Sequence, residues 1–290
     1  MSNITALKRR IGSVKNTRQL TKAMQLVAAS KMKKAQNSAQ SSRSYREFSQ
    51  DIFKNMSTIS DVRQHPLFSR RPLKTRLSIV ITSDRGLAGA YDSNILKLVT
   101  NQLKQDQASK VHNLVITIGR QAGRFVAKLQ GIETVGSYPM FSKEPSPADI
   151  RPILQTALDL FDQGKVDIVD IAYTEFVSNM SQQAKIVQVL PAPLSEDHKL
   201  SPLEVAFLEP SIDAIVKDST LRLIEALIWQ ALLESLASEQ SMRMIAMKNA
   251  TDNASDIIDD LTLEFNTARQ AAITQEIAEI AGGAAAVTAN

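Results

Sequence analysis

The chain has 290 residues, 43% of them hydrophobic, which is enough for one large or two ordinary domains with a substantial core. It contains no cysteine, which excludes disulfides, thiolate catalysis and zinc–thiolate sites. The net charge is only +4, but eleven basic residues and no acidic residue precede Glu47, whereas residues 211–290 carry twelve acidic and five basic residues, a net charge of −7.

Residues 2–57 predict a first helix of about 55 residues. Ser2 or Asn3 can cap it, and no proline occurs before Pro66. One face carries apolar or small residues at heptad-like spacing: Ile4, Leu7, Ile11, Val14, Met24, Ala28, Met32, Ala35, Ala39 and Ser42. The chain start also lacks the apolar core of a signal peptide, and no apolar run reaches the length of about eighteen residues that spans a membrane. These features indicate an intracellular, unprocessed chain.

The excess of basic residues on this helix leaves two alternatives for its partner. An acidic protein surface fits the unbalanced charge. Nucleic acid also fits, as a basic helical hairpin contacting phosphates, but aromatic residues are scarce here and no DNA- or RNA-binding motif is present.

The middle of the chain alternates short apolar runs with amphipathic segments, which predicts an α/β layer with a mainly parallel sheet and antiparallel final strands. The predicted strands are 77–82, 113–118, 132–138, 166–173, 184–190 and 205–208. The predicted helices are 92–104, capped by Asp92 or Ser93, 119–130, and 145–164, capped by Ser146.

Catalytic and cofactor motifs are missing from this α/β segment. Residues 84–89 read DRGLAG after the first strand, which matches neither dinucleotide-binding nor Walker-type phosphate loops, so Gly86 and Gly89 are interpreted as turn and packing residues. Asp167 and Asp170 fall on opposite faces of a strand, and the three histidines are far apart in sequence. We therefore predict no catalytic residue, metal or cofactor, and a scaffold that holds two helix ends.

Residues 211–281 contain neither proline nor glycine and predict a second helix of roughly 105 Å. Its proposed stripe is Leu236, Gln240, Arg243, Met247, Ala250, Ala254, Ile257, Leu261, Phe265, Ala268 and Ala272. Neither long helix would be stable alone, so we expect them to pair antiparallel, with the tail from about Thr274 left nearly unpaired.

Three long motifs resemble the gamma subunit family of F-type ATP synthase. Residues 16–24 read NTRQLTKAM, followed by VAASKMK at 27–33; residues 82–89 read TSDRGLAG; residues 236–240 read LASEQ, followed by MKNATDN at 247–253. The tail segment ITQE at 273–276 fits as well. The resemblance implies a long antiparallel two-helix coiled coil from both termini with a central Rossmann-like α/β domain, divided as residues 1–60, 72–209 and 210–290.

In that family the chain is the central rotor shaft, which transmits torque between the membrane c-ring and the alpha/beta catalytic hexamer and regulates its ATPase activity. The resemblance therefore implies alpha, beta and epsilon subunits and the c-ring as partners, with no nucleotide, nucleic acid or cofactor bound to the chain itself. It places the protein peripherally, on the cytoplasmic face of a bacterial plasma membrane.

The resemblance also assigns six contacts with the alpha and beta subunits. Lys22 and Met24 pass an acidic loop of the beta subunit, although packing against the second helix is an equal alternative for Met24. Arg243 and Gln270 hydrogen-bond a beta-subunit loop, whereas the residues alone favour Arg243 as a polar residue that sets coiled-coil register. Thr274 and Glu276 lie in the apical bearing.

Overall fold

The computed structural model describes residues 2–56, 66–68, 71–141, 145–192 and 212–288. Its contacts form two compact units, residues 1–28 with 244–290, and residues 29–243. The strand predicted at 205–208 lies outside the described residues.

Two long helices are formed by the two ends of the chain. Helix α1 spans Ser2–Met56, and the last helix, α5, spans Ile212–Thr288. Both predicted helices are confirmed. Helix α5 continues past its predicted end at residue 281 through Gly282, where a glycine in an exposed helix costs only about 1 kcal/mol. None of the described helices combines the length and hydropathy needed to cross a membrane.

In the first unit, α1 and α5 pack through a narrow apolar seam. Its buried residues are Leu7, Ala28, Met247, Ala254, Ile258 and Leu261. The hydroxyl oxygens of Thr21 and Thr251 lie 2.8 Å apart in the same seam. The sequence prediction placed Ile257 in the stripe, and this is wrong: Ile257 is 45% exposed. The seam follows alternating steps of four and three residues from Met247, which select Ile258 instead.

The burial along α5 indicates the direction of the pairing. Phe265, Ala268 and Ala272 are half-buried, and every residue from Ile273 to Gly282 is exposed. With Thr21 opposite Thr251 in an antiparallel pair, Ser2 would lie opposite Gln270, so α1 begins where burial on α5 ends. This agreement supports the antiparallel arrangement and, for the described residues up to Gly282, confirms the exposed tail predicted from about Thr274.

The second unit contains the sheet, in the order β3-β2-β1-β4-β5. Its strands are β1 (Thr75–Ile81), β2 (His112–Ile118), β3 (Ile132–Tyr138), β4 (Ile168–Phe176) and β5 (Gln182–Leu190). Strands β1 to β4 run parallel to one another, and β5 is antiparallel to β4, as predicted. The remaining helices are α2 (Tyr91–Ala108), α3 (Arg120–Val126) and α4 (Pro147–Asp162), with a short 3-10 helix at Pro66–Phe68.

Helices cover both faces of the sheet. Successive residues of β1 and β2 point to opposite faces, and the residues on each face are buried in a separate cluster. Leu77, Ile79 and Ile81 pack in a cluster with α4 and the start of α5. Val80 and Val115 pack in a second cluster with α2 and α3. Each such side chain contributes about 1.5–3 kcal/mol on burial, so these two layers hold the unit together.

All three short helices of this unit differ from their predicted bounds: α2 continues to Ala108, past the predicted residue 104, and α4 spans Pro147–Asp162, inside the predicted 145–164. Helix α2 begins at Tyr91, and Asp92 does not cap it: its carboxylate accepts a hydrogen bond from the backbone N–H of Ser83 at 2.8 Å. Helix α3 ends at Val126 instead of residue 130. The backbone N–H groups of Lys128 and Leu129 donate to the carbonyl oxygens three residues earlier, which is the hydrogen bonding of a 3-10 turn.

Candidate functional site

The turn after β1 lies at the carboxyl edge of the parallel strands, where doubly wound sheets bind ligands. Here a side chain of the turn fills the position that an anion would take. Asp84 Oδ1 accepts hydrogen bonds from the backbone N–H groups of Arg120 and Met140, each at 3.0 Å. Arg120 begins α3, so this carboxylate takes up an amide that a phosphate would otherwise contact.

The same turn is packed closely against the end of β2. Gly119 has φ +97, and a Cβ on it would lie 2.1 Å from the carbonyl oxygen of Thr82. Gly89 is also in the left-handed region, at φ 59, as expected for a turn glycine. Gly86 has open space around it and no left-handed φ, so its predicted packing role is wrong, whereas the turn role of Gly89 is confirmed by its φ.

Arg243 on α5 binds this turn within the second unit. Its Nη2 donates to the backbone oxygen of Arg85 at 2.9 Å and lies 3.4 Å from that of Gly86. Its Nη1 donates to Glu239 Oε1 at 2.6 Å, and the two side chains are only 12% and 7% exposed. Burial raises the pKa of Glu239 above its usual value, and the charge of Arg243 opposes that rise. Arg243 is thus a partly buried cation with intramolecular partners.

Three serines precede Arg243 on the same helix and bond to the sheet. We call Ser235, Ser238, Ser241 and Arg243 the polar joint. Ser235 Oγ accepts from the backbone N–H of Thr174 at 3.1 Å, and Ser238 Oγ donates to the backbone oxygen of Thr174 at 3.1 Å.

These two bonds replace missing sheet bonds. Strand β4 pairs with β1 only as far as Ala172, so the backbone of Thr174 has passed the end of that ladder. A buried backbone group left without a partner costs about 1–3 kcal/mol. The two serine hydroxyls remove that cost for both groups of one strand residue.

The turn between β4 and β5 binds the third serine. Ser241 Oγ donates to the backbone oxygen of Asn179 at 2.8 Å and lies 3.2 Å from Gln182 Nε2. On the other side, Gln36 Nε2 of α1 donates to Asn179 Oδ1 at 2.7 Å. One turn of the sheet therefore contacts both long helices within the second unit.

Buried charges elsewhere in the sheet have structural partners. Arg76 on β1 pairs with Asp106 at 2.9 Å and with Asp170, while Asp167 accepts the backbone N–H groups of Lys74 and Thr75. Burial raises the pKa of Asp170, and Arg76 lowers it. Within the described parts of the chain, no group of three or more histidine, aspartate or glutamate residues could hold a metal ion.

Lys22 and Met24 lie on the outer surface of α1 in the first unit. Lys22 is exposed, with Nζ 3.3 Å from Gln25 Oε1. Met24 is 37% exposed and therefore lies outside the seam around Ala28. Leu20, Met24 and Val27, spaced by four and three residues, form an exposed apolar stripe on one helix face.

Gln270, Thr274 and Glu276 are all exposed, and the last two lie on the unpaired tail of α5. The tail also carries an exposed apolar stripe of Ile273, Ile277 and Ile280. The predicted contacts thus lie on separate surfaces of the first unit, and Arg243 belongs to the polar joint of the second.

The sequence interpretation missed Glu239 and the three serines of the joint. The sequence feature that could have identified the serines is their spacing: Ser235, Ser238 and Ser241 lie three residues apart on a helix predicted to have one apolar face. Such spacing places the hydroxyls on neighbouring positions of one face. Their partners lie about sixty residues away in sequence, and no local pattern identifies them.

Comparison with known proteins agrees with the fold. The sequence profile of the ATP synthase family matches residues 3–287. The chain is 38% identical over 292 residues to the ATP synthase gamma chain of Ralstonia nicotianae, covering 99% of this chain and 100% of that one. It is 39% identical over 290 residues to the ATP synthase gamma chain of Stenotrophomonas maltophilia, again covering 99% and 100%.

Two solved structures share the architecture. A chain of the Euglena gracilis mitochondrial ATP synthase in rotational state 3 has a TM-score of 0.69 at 18% identity, over 99% of this chain and 95% of that one. A chain of the Tetrahymena thermophila mitochondrial ATP synthase central stalk and c-ring has a TM-score of 0.62 at 23% identity, over 80% and 99%. The profile match and the full-length bacterial relatives show that this chain belongs to the ATP synthase gamma chain family.

Proposed function

We propose that this chain is the rotating central shaft of an F-type ATP synthase. The observation that carries the proposal is the unpaired tail of α5 in a chain of this family. Ile273, Ile277 and Ile280 form a stripe that is covered by nothing within the chain's described residues. A helix with one uncovered apolar stripe is marginal in water, so a surrounding partner is expected to receive it.

The paired helices supply the stiffness that torque requires, and their outer surface supplies the contacts. The buried Ala28 and Ala39 keep this stretch of α1 slim. The outer face is basic, and exposed ion pairs contribute only ~0.2–1 kcal/mol each. Such contacts attract acidic loops of a beta subunit without holding the shaft in one orientation. Lys22 and Met24 are proposed to make them.

The tail and its approach contact the top of the alpha/beta hexamer in this proposal. Thr274 and Glu276 lie beside the apolar stripe, where a bearing would enclose them. Gln270 is exposed and free to reach a beta-subunit loop. The resemblance assigns Arg243 to the same loop. Its side chain is 12% exposed and its guanidinium is held by Glu239, so it would present a fixed positive charge to that loop.

The α/β domain, residues 72–209, is proposed to contact the epsilon subunit and the c-ring. The two coiled-coil segments, residues 1–60 and 210–290, together form the shaft, and the α/β domain is its head. Asp84 fills the ligand position at the sheet edge, which fits a head that binds no nucleotide. Through its contacts the chain would also regulate ATP hydrolysis. The bacterial relatives support a peripheral location on the cytoplasmic face of the plasma membrane.

Affinity purification of the tagged chain from its source cells tests the proposal. We expect alpha, beta and epsilon subunits to co-purify in one complex whose ATP hydrolysis drives rotation of the tagged chain. Recovery of the chain without these subunits, together with salt-sensitive retardation of DNA or RNA, would instead support the nucleic-acid alternative.

Charge reversal at Lys22 tests the proposed contact on α1. Lys22→Glu is expected to reduce ATP-driven proton pumping by about two- to tenfold, because reversal turns a weak attraction to an acidic loop into repulsion. The matched control is Lys104→Glu, which reverses an exposed charge on α2. Pumping that falls equally in both variants, or in neither, would contradict a specific contact at Lys22.

A further inference from the structure

We propose that the polar joint is the point where torque passes between α5 and the α/β domain, with Ser235, Ser238 and Ser241 as positioning residues. This inference rests on the proposed shaft function. It concerns contacts inside the chain, whereas the shaft function concerns contacts with other subunits.

The packing of α5 changes character along the helix. Its earlier buried residues in the second unit, such as Leu223, Ile228 and Leu232, meet the sheet through apolar contacts. Apolar packing is non-directional, so it fixes the rotational position of a helix less sharply than hydrogen bonds do. From Ser235 onwards, buried contacts with the sheet include hydrogen bonds, which weaken steeply when distance or angle changes.

The joint contacts three separate parts of the α/β domain. Ser235 and Ser238 bracket Thr174 on β4, Ser241 bonds the turn at Asn179, and Arg243 bonds the turn at Arg85. These contacts are spread over about 12 Å of helix. Three contact points that are not on one strand resist rotation about the helix axis as well as translation along it.

Burial makes this resistance effective. Ser235, Ser238 and Ser241 are each 0% exposed, so water cannot replace a bond that is lost when the helix turns. Any rotation of α5 against the sheet leaves the N–H and C=O groups of Thr174 buried without partners. The helix and the domain are therefore expected to turn together.

If the serine hydroxyls only satisfy the hydrogen-bonding groups of the backbone, their removal has a different outcome than if they also transmit torque. In the first case, removing the hydroxyls lowers stability and leaves coupling unchanged once the complex is assembled. In the second case, coupling and torsional stiffness fall even in the assembled complex. The two readouts separate the alternatives.

The experiment uses the assembled complex with Ser235→Ala and Ser241→Ala combined, which removes the acceptor of the Thr174 N–H and the donor to the Asn179 oxygen. Because the chain has no cysteine, Lys104→Cys on α2 provides a single attachment point for a rotation probe on the α/β domain. Torsional stiffness is measured from the fluctuations of the probe, and the ratio of protons pumped to ATP hydrolysed is measured in vesicles. Hydrogen exchange of the Thr174 amide reports the joint directly.

We expect a several-fold loss of stiffness and of pumping ratio, with about tenfold faster exchange at Thr174. Ser255→Ala on the same helix is the control, since its hydroxyl bonds only the Thr251 oxygen of α5. Ser241→Thr, which keeps a hydroxyl at this position, is expected to retain the coupling that Ser241→Ala loses. If the double variant does not assemble, Ser241→Ala alone is measured against Ser241→Thr.

Faster exchange at Thr174 with wild-type stiffness and pumping would overturn the inference, because the hydroxyls would then serve the backbone alone. Unchanged values in all three measurements would overturn it as well. A wild-type complex whose probe does not rotate would instead refute the proposed shaft function, so the two failures are distinguishable.

Discussion

Arg243→Ala is expected to slow turnover and weaken coupling, and to destabilise the second unit by roughly 3 kcal/mol. The variant leaves the Glu239 carboxylate buried without its cation, and breaking one side of a buried ion pair is costly for that reason. It also removes the donor to the Arg85 and Gly86 oxygens. The complex should remain mostly assembled, because binding to partner subunits stabilises the folded chain.

The destabilisation by Arg243→Ala should depend on pH. Burial raises the pKa of Glu239 and Arg243 lowers it, so loss of Arg243 raises that pKa further. A carboxyl with a raised folded pKa binds its proton more tightly in the folded state. The loss of stability is therefore small below about pH 4, where Glu239 is protonated in both states, and grows as the pH rises from there to the folded pKa.

The matched control is Glu239→Gln combined with Arg243→Ala, which removes the unpaired charge. We expect it to recover part of the stability at neutral pH while coupling stays impaired. Thermal unfolding across this pH range and the ratio of pumping to ATP hydrolysis are the measurements. Hydrolysis and pumping equal to wild type in Arg243→Ala would contradict the assigned role.

Gly119→Ala is expected to destabilise the α/β domain by roughly 3–5 kcal/mol. The new Cβ would lie 2.1 Å from the Thr82 carbonyl oxygen, a backbone atom that cannot swing aside, and the φ of +97 adds strain. The expected result is a chain that accumulates poorly, measured as soluble yield and by thermal unfolding.

Gly131→Ala separates the two costs at Gly119. Gly131 also has a positive φ, +76, but a Cβ there meets nothing within 4 Å. Its substitution should cost only about 1 kcal/mol. Equal destabilisation by the two substitutions would show that the close approach to Thr82 contributes nothing.

The elements that could be predicted from the sequence are those with strong local signals. The uninterrupted periodicity of 2–57 and 211–281 and the β-branched runs of the strands are local properties, and the structure reproduces them. The ends of α3 and α5 were missed because weak turns and an exposed glycine are decided by small energy differences. Ile258 was missed because a 3.6-residue period and a heptad period select different residues over several turns.

The joint was harder to predict, because its chemistry depends on tertiary contacts. Arg243 reads in sequence as a polar interruption of a stripe, and only the fold brings the Arg85 oxygen to its guanidinium. The sequence predicts Asp92 as a helix cap. In the structure its carboxylate accepts a hydrogen bond from the backbone N–H of Ser83 and does not cap the helix. The six residues assigned by resemblance remain predictions about contacts with other chains.

The unpaired tail of α5 has a consequence for how the complex is put together. From Ile273 to Gly282 every residue is exposed and the apolar stripe is uncovered, so in the free chain this part of the helix should fray and exchange its amides quickly. Partner subunits that enclose it must then supply the free energy of ordering it. Helix content near the C-terminus would therefore rise on assembly, and it offers a spectroscopic measure of how many free chains have been captured.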